Sequence, residues 1–403
     1  MKSTFRKLWK IMAACLLALG LLAGTAIAEQ AGTDPYYRYE DLFTNRDLEQ
    51  TADTSDAETI TVSNGSDIRI TQAGTYVLNG SASGVTVYVE AGDEDKVQLV
   101  LDGVSVTNPD FPCIYVVSAD KVFITTAADS TLSVTGTFRA DGSTNTDGVI
   151  FSRDDLVLGG TAALNIVSPD NGVVCKDDLK ITGGTYVIQA SSKAFEANDS
   201  IRIAGGTFRL TAGTDGLHAE NKDDNSMGYV FIGGGTFTIQ AGDDGIHATS
   251  VLQIDDGVLD ITAGEGLEST VIQINGGTLN ITSTDDGINA SRKSSSYTPT
   301  VIFNGGEVNV TMGRGDTDGV DSNGNIIVNG GTVSVTGNST FDYDGTGIIN
   351  GGAVYANGQL VSSLPNQMMG GRGGHGGFGG WDNGSQDNSG GWGGPGGWGG
   401  RGR

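Results

Sequence analysis

One pattern limits this chain before any other: a unit of about 21–22 residues that returns along most of its length. Three segments show it: Leu179-Lys-Ile-Thr-Gly-Gly-Thr-Tyr-Val-Ile, Ile201-Arg-Ile-Ala-Gly-Gly-Thr-Phe-Arg-Leu and Val230-Phe-Ile-Gly-Gly-Gly-Thr-Phe-Thr-Ile. The pattern resumes at Leu252, Ile272, Val301 and Ile326. A second motif follows each time, as Asp215-Gly-Leu-His-Ala, Asp244-Gly-Ile-His-Ala, Glu265-Gly-Leu-Glu-Ser, Asp286-Gly-Ile-Asn-Ala and Asp318-Gly-Val-Asp-Ser. Within a unit, apolar residues recur at every second position in short runs broken by Gly or Asp, which is the mark of strands.

A strand run this short buries nothing alone, so copies must stack to create a core. The expected fold is all-β: a right-handed parallel β-helix, or solenoid, with three strands per coil of about 21–22 residues. Ile203, Phe208, Leu210 and Leu217 point inward; Arg202, Arg209, Thr211 and His218 point outward. A leucine-rich repeat needs a Leu-x-x-Leu-x-Leu pattern and an asparagine ladder, and neither is read here. Weaker first coils at Ile68 and Val97 extend the solenoid over residues 59–360, with residues 29–58 as a polar lead or cap.

The ends read differently. Lys2, Arg6, Lys7 and Lys10 precede an apolar run and Ala26-Ile27-Ala28, which is the form of a signal peptide, residues 1–28, on a secreted protein. Residues 361–403 are Gly-dominated and carry Trp381, Trp392 and Trp398. This composition predicts a disordered tail, serving as a spacer or as a contact to cell wall. The formal charge is −25, and loss of the leader takes it to about −29. That sign excludes a nucleic-acid partner, and the leader run is too short for a membrane span. Cys113 and Cys175 fall two coils apart, beyond disulfide reach, and read as buried thiols.

Departures from the period carry the functional signal. Insertions 220–228 and 291–299 leave the same corner three coils apart and are placed to wall a groove. The residue before each motif Gly forms a ladder of Asp215, Asp244, Glu265, Asp286, Asp318 and, by extension, Asp344. Stacked strands put such acids about 4.8 Å apart, where two like charges repel by roughly 1 kcal/mol even in water. Calcium, with six to eight hard oxygen ligands, suits such a column. The densest cluster is Asp316, Asp318, Asp321 and Asn323, facing Asp342 and Asp344; Asp243-Asp244 and Asp285-Asp286 come next. The same Asp-Gly corners also suit a turn in which Asp bonds its own backbone and Gly takes positive φ.

Beside the acids runs an outward column of Glu196, His218, His247, Glu268, Asn289 and Asp321. A flat polar face of this kind suits an extended polysaccharide, and His218 with His247 also offers a transition-metal pair. A further outward column holds Gln189, Thr211, Gln240, Thr262, Thr282, Thr311 and Thr336.

The motifs Gly74-Thr-Tyr-Val-Leu, Arg153-Asp-Asp-Leu, Lys176-Asp-Asp-Leu-Lys-Ile-Thr-Gly-Gly, Asp215-Gly-Leu-His-Ala-Glu and Gly315-Asp-Thr-Asp-Gly-Val-Asp-Ser-Asn-Gly are similar to those of a family. That family comprises secreted bacterial carbohydrate-binding proteins with a polysaccharide-lyase-like β-helix. The resemblance implies binding of cellulose and acidic, pectin-like sugars such as polygalacturonate, with calcium. The body has no Trp, so stacking on cellulose falls to Tyr or to the tail. Two alternatives stand beside a non-catalytic binder. One is a pectate lyase or polygalacturonase, with Lys180, Arg202 and Arg209 as outward basic groups or Asp243-Asp244 and Asp285-Asp286 as paired acids. The other is a surface scaffold or adhesin. Repetition favours binding, because a catalytic site breaks a pattern once whereas these acids recur.

Overall fold

The computed structural model describes residues 33–313 and 317–366. The leader, the tail from residue 367 and Asp316 lie outside these described residues. The fold is an all-β, β-helix-like solenoid of stacked parallel strands, with one helical turn among the described residues, at Tyr39–Leu42. The strands form a 24-stranded and a 12-stranded sheet. Through the repeat, each strand pairs in parallel with the strand three further along the chain: Asp178–Ile181 with Ser200–Ile203, Thr185–Ala190 with Thr207–Ala212, Phe195–Ala197 with Leu217–Ala219. The inward residues Ile203, Phe208, Leu210 and Leu217 are all buried and belong to one continuous core. Tyr186, Phe208 and Phe237 stack along it, Phe208 and Phe237 at 4.4 Å between ring centres.

Two kinds of glycine set the corners, and they differ from expectation. Positive φ occurs at the Gly-Gly corners, for example Gly206 at 131° and Gly277 at 84°. The glycine of the Asp-Gly motif does not need it. At Gly266 a Cβ would sit 2.3 Å from both the Gly287 carbonyl oxygen and Ile281 Cγ2. These glycines exist so that backbone and core approach closely, not to reverse the chain.

An asparagine ladder is present, against the sequence reading. Asn275 Nδ2 donates to Asp255 Oδ1, Asn304 to Asn275, Asn329 to Asn304 and Asn350 to Asn329, each at 2.6–2.8 Å. The repeated Asn-Gly-Gly corners of the last coils supply it. It ties the corners of successive coils side chain to side chain, without implying a leucine-rich repeat. Cys113 and Cys175 are free and buried, and the Cys175 thiol is turned to the Asp178 carbonyl.

Residues 33–50 lie along the flank of the solenoid rather than over an end, running against its direction of growth. Gln273 Nε2 donates to the Asp34 carbonyl and its Oε1 accepts from the Tyr36 amide. Gln253 reads both backbone groups of Tyr37. Leu42 and Phe43 pack on Tyr229, Phe231, Val251, Val271 and Ile302, outward apolar residues that this strap removes from water. Each such side chain contributes about 1.5–3 kcal/mol when buried. Further down, Asp47 Oδ2 accepts from Lys180 Nζ at 2.9 Å. Burial opposes ionisation of Asp47, but the Thr44 amide and Lys180 together hold its carboxyl below the usual range. Lys180, expected outward and open, is therefore buried under the strap.

The last coils also shift from the expected register. Ser339, not Asp344, stands opposite Asp318, and Asp342 stands opposite Asp321. Asp344 lies exposed beyond the strand end at Tyr343. Packing continues past residue 360: Leu364 is buried, and its carbonyl accepts from the Tyr343 hydroxyl. Among the described residues no helix is long and apolar enough to cross a membrane.

Candidate functional site

The outward column is continuous in the 12-stranded sheet. Pairing runs Glu196 to His218, His218 to His247, His247 to Glu268, Glu268 to Asn289, Asn289 to Asp321 and Asp321 to Asp342. Successive residues sit on the same face because parallel strands in register stack like on like.

The first half supplies its own counter-charges. Glu196 accepts from Lys176 Nζ at 2.9 Å and Lys193 Nζ at 3.1 Å. His218 Nδ1 lies 2.8 Å from Asp215 Oδ2. His247 Nδ1 lies 2.9 Å from both Asp244 Oδ2 and Glu268 Oε2. The two imidazoles stack at 4.5 Å. Lys293 Nζ reaches Glu268 Oε1 at 2.7 Å. Burial works against a charged His247, but bonds to Asp244 and Glu268 outweigh it and lift the imidazole to about 9. Burial also works against Glu268, yet His247 and Lys293 hold it well below the usual carboxylate range. Glu265 is pushed up to about 8, by burial first and then by Glu268.

The second half lacks this. Asp318, Asp321 and Asp342 bring ligand oxygens within 4.8 Å of one another. Asp286 adds a fourth carboxylate, whose Oδ1 accepts from the Asp318 amide at 3.0 Å. Among the described residues, none of the four has a Lys, Arg or His partner. Burial, then Asp286, Asp318 and Asp342, push Asp321 up to about 7. Burial, then Asp285 and Asp318, push Asp286 to about 6. Asp318 Oδ1, Ser339 Oγ and Thr317 Oγ1 are buried without a hydrogen-bond partner. Orphaned hard oxygens among crowded carboxylates fit a hard cation such as calcium.

The two insertions meet. Asn225 Nδ2 donates to Ser295 Oγ at 2.8 Å, and Ser296 Oγ donates to Asn225 Oδ1 at 2.7 Å. Ser294 Oγ donates to the Asn225 carbonyl. Beneath this clasp lies a trough of about 420 Å³ reaching His218, His247, Lys222 and Lys293. It adjoins another of about 450 Å³ lined by Lys176, Lys193, Glu196 and His218. Four lysines thus converge in a strongly acidic chain.

Of the expected ligands, the structure gathers Asp318, Asp321 and Asp342, with Asp286 beside them. Asp215 and Asp244 instead lie against the Nδ1 atoms of His218 and His247, and Asp244, His247 and Glu268 make a second, buried group whose ligand atoms lie within 4.8 Å of one another. Asp243, Asp285 and Asn323 are exposed. Sequence reasoning missed the lysines. It also missed a third acid group, Asp155, Asp177 and Asp178, at another corner. The signal for that group was the Arg153-Asp-Asp and Lys176-Asp-Asp doublets in consecutive coils. Lys121 and Arg202 neutralise part of it.

The profile of a family described as carbohydrate-binding domain-containing protein matches residues 64–316, more than half of the chain. A carbohydrate-binding domain-containing protein of Acetivibrio thermocellus is 34% identical over 129 residues, 31% of this chain and 45% of that relative. The match thus spans less than half the length of the relative. A solved structure of a polysaccharide lyase-like protein from C. thermocellum, a gadolinium derivative, is 24% identical at a TM-score of 0.43, covering 75% of this chain and 94% of that one.

Proposed function

The chain belongs to the carbohydrate-binding domain-containing protein family, and from that premise we propose that it is a secreted, non-catalytic binder of acidic polysaccharide that uses calcium at Asp318, Asp321 and Asp342. The observation carrying this is the run of four carboxylates without a basic partner among the described residues, set beside a trough of four lysines. Lys222, whose side chain is 81% exposed, meets a uronate carboxylate; Lys176, Lys193 and Lys293 line the trough while holding Glu196 and Glu268, and the column of Glu196, His218, His247, Glu268 and Asn289 meets hydroxyls along the same face. Calcium bound to three carboxylates keeps positions for sugar oxygens, since it takes six to eight ligands.

Two features support binding over cleavage. The acids recur coil after coil, and two basic groups a lyase might use are spent: Lys180 on Asp47, and Arg202 on Asp178 at 2.6 Å. Secretion rests on the leader at residues 1–28 and a cell-wall contact on the tail. We take the solenoid as right-handed with three strands per coil, which the regular pairing and the chirality of parallel crossovers support.

The test is retention on polygalacturonate with calcium or with EGTA, alongside thermal melting. Calcium at about a hundred times its Kd stabilises by about 2.7 kcal/mol. Expected are a calcium-dependent rise in Tm, at least tenfold weaker retention in EGTA, and loss of both in Asp318→Asn/Asp321→Asn. Melting and retention indifferent to chelator would overturn the calcium reading. Steady release of unsaturated uronate would overturn the non-catalytic one.

A further inference from the structure

The body contains 11 Tyr, and the fold disposes of nearly all of them. Tyr115, Tyr186 and Tyr229 are buried; Tyr37 is stacked on Tyr229 at 4.1 Å; Tyr76, Tyr88, Tyr297, Tyr343 and Tyr355 are half-buried. Among the described residues the only large aromatics counted as exposed are Tyr36, at 43%, and Tyr39, at 38%. Both lie on the strap, three residues apart.

These rings are held, not loose. The backbone around Tyr36 is fixed by Gln273 and that of Tyr37 by Gln253, through four hydrogen bonds between side-chain amides and peptide groups. Tyr36 meets Tyr297 edge-on at 6.1 Å. Tyr39 packs against Phe43 and over Gly233, where a Cβ would come within 2.9 Å of its ring. An exposed, pre-positioned Tyr loses little entropy on contact and offers a π face together with a hydroxyl. That combination matches the C–H face and hydroxyl rim of a pyranose. The neighbouring charges are Asp34, Glu40 and Asp41 against Arg38, a net negative setting that repels a uronate chain and tolerates a neutral one.

We infer that Tyr36 and Tyr39 form a second glycan contact, a stacking platform for an uncharged, β-linked pyranose chain, built by the strap on the 24-stranded sheet and separate from the acidic column. The inference rests on the carbohydrate-binding reading but not on calcium. It assigns the strap a role beyond holding the coils together.

The experiment uses the full chain on microcrystalline cellulose and, in parallel, on polygalacturonate with calcium. Tyr36→Ala/Tyr39→Ala is expected to lose at least tenfold in cellulose retention while polygalacturonate retention stays within error, at a temperature below the lower of the two Tm values. Tyr36→Phe/Tyr39→Phe is expected to keep cellulose retention, which separates stacking from a folding defect. Trp381→Ala/Trp392→Ala/Trp398→Ala tests the rival aromatics of the tail. Loss of cellulose retention in the tail variant with none in the Tyr→Ala variant overturns the platform. So does absence of cellulose binding by the native chain when polygalacturonate binding is intact. Failure on both polymers instead removes the carbohydrate reading beneath it.

Discussion

His218, His247 and Glu268 stand in the same column, on the same sheet face and at the same spacing as Asn289, Asp321 and Asp342. The first stretch is closed electrostatically: His247 sits between two carboxylates, and Lys293 covers the second of them. The second stretch has carboxylates and no base among the described residues. Register is therefore not what makes a stacked acid a ligand. The deciding factor is whether a neighbouring coil places a cation within about 3 Å, because a buried like-charged pair must find protons, bases or an ion from outside.

The largest test of this contrast removes one charge from each stretch. His247→Leu leaves Asp244 and Glu268 buried without their shared partner and is expected to cost about 3–5 kcal/mol in urea unfolding. Asp321→Asn, measured in EGTA, removes a repulsion and is expected to stabilise by about 1 kcal/mol. Two changes of the same sign would break the comparison.

A smaller effect follows from pH. The groups facing His247 are Asp244 on its own strand, Glu268 and Glu265 on the next, Asp215 and His218 on the preceding coil, and Lys293 from the insertion. Its imidazole is raised from an ordinary 6.5 to about 9. The folded state thus holds the proton more tightly than the unfolded one. Its stabilisation is complete below about pH 6.5 and is lost as pH rises through about 9. The gap in unfolding free energy between the native chain and His247→Gln, read from urea titrations, should narrow between pH 6 and pH 9.5, by about 1–3 kcal/mol. A constant gap would mean that His247 is neutral in the fold.

Much of this arrangement was legible. Alternation and period were enough to place the inward core, the outward column from Glu196 to Asp321 and the two insertions at one corner. All of these depend on local spacing. What escaped depends on contacts that spacing does not encode. The strap has no period, and its partners lie far along the chain, 133 residues away for Asp47 and Lys180 and 216 for Tyr37 and Gln253. The neutralising lysines come from corners and loops whose reach is set by packing. The final register was ambiguous because Asp342 and Asp344 both offer an acid, and only Phe341, buried opposite Val320, decides between them. The motif glycines were identified correctly as constrained but for the wrong reason, since close approach to core methyls leaves no trace in sequence that a turn would not also leave.

The smallest expected effect concerns the clasp, which walls the first stretch and leaves the second alone. Asn225 is hydrogen-bonded across the two insertions through its side-chain amide and its carbonyl, to Ser294, Ser295 and Ser296. Exposed hydrogen bonds of this kind contribute about 0.5–1.5 kcal/mol each, and here they order loops rather than the core. Asn225→Ala should therefore leave Tm within about 1 °C of the native value while backbone amides in residues 220–228 and 291–299 exchange faster. Polygalacturonate retention should weaken by roughly three- to tenfold, the equivalent of about one such bond. The calcium-induced rise in Tm should be unchanged, because Asp318, Asp321 and Asp342 do not touch the clasp. If that rise disappeared along with retention, the two stretches would be one coupled site, and the division drawn from their charges would not hold.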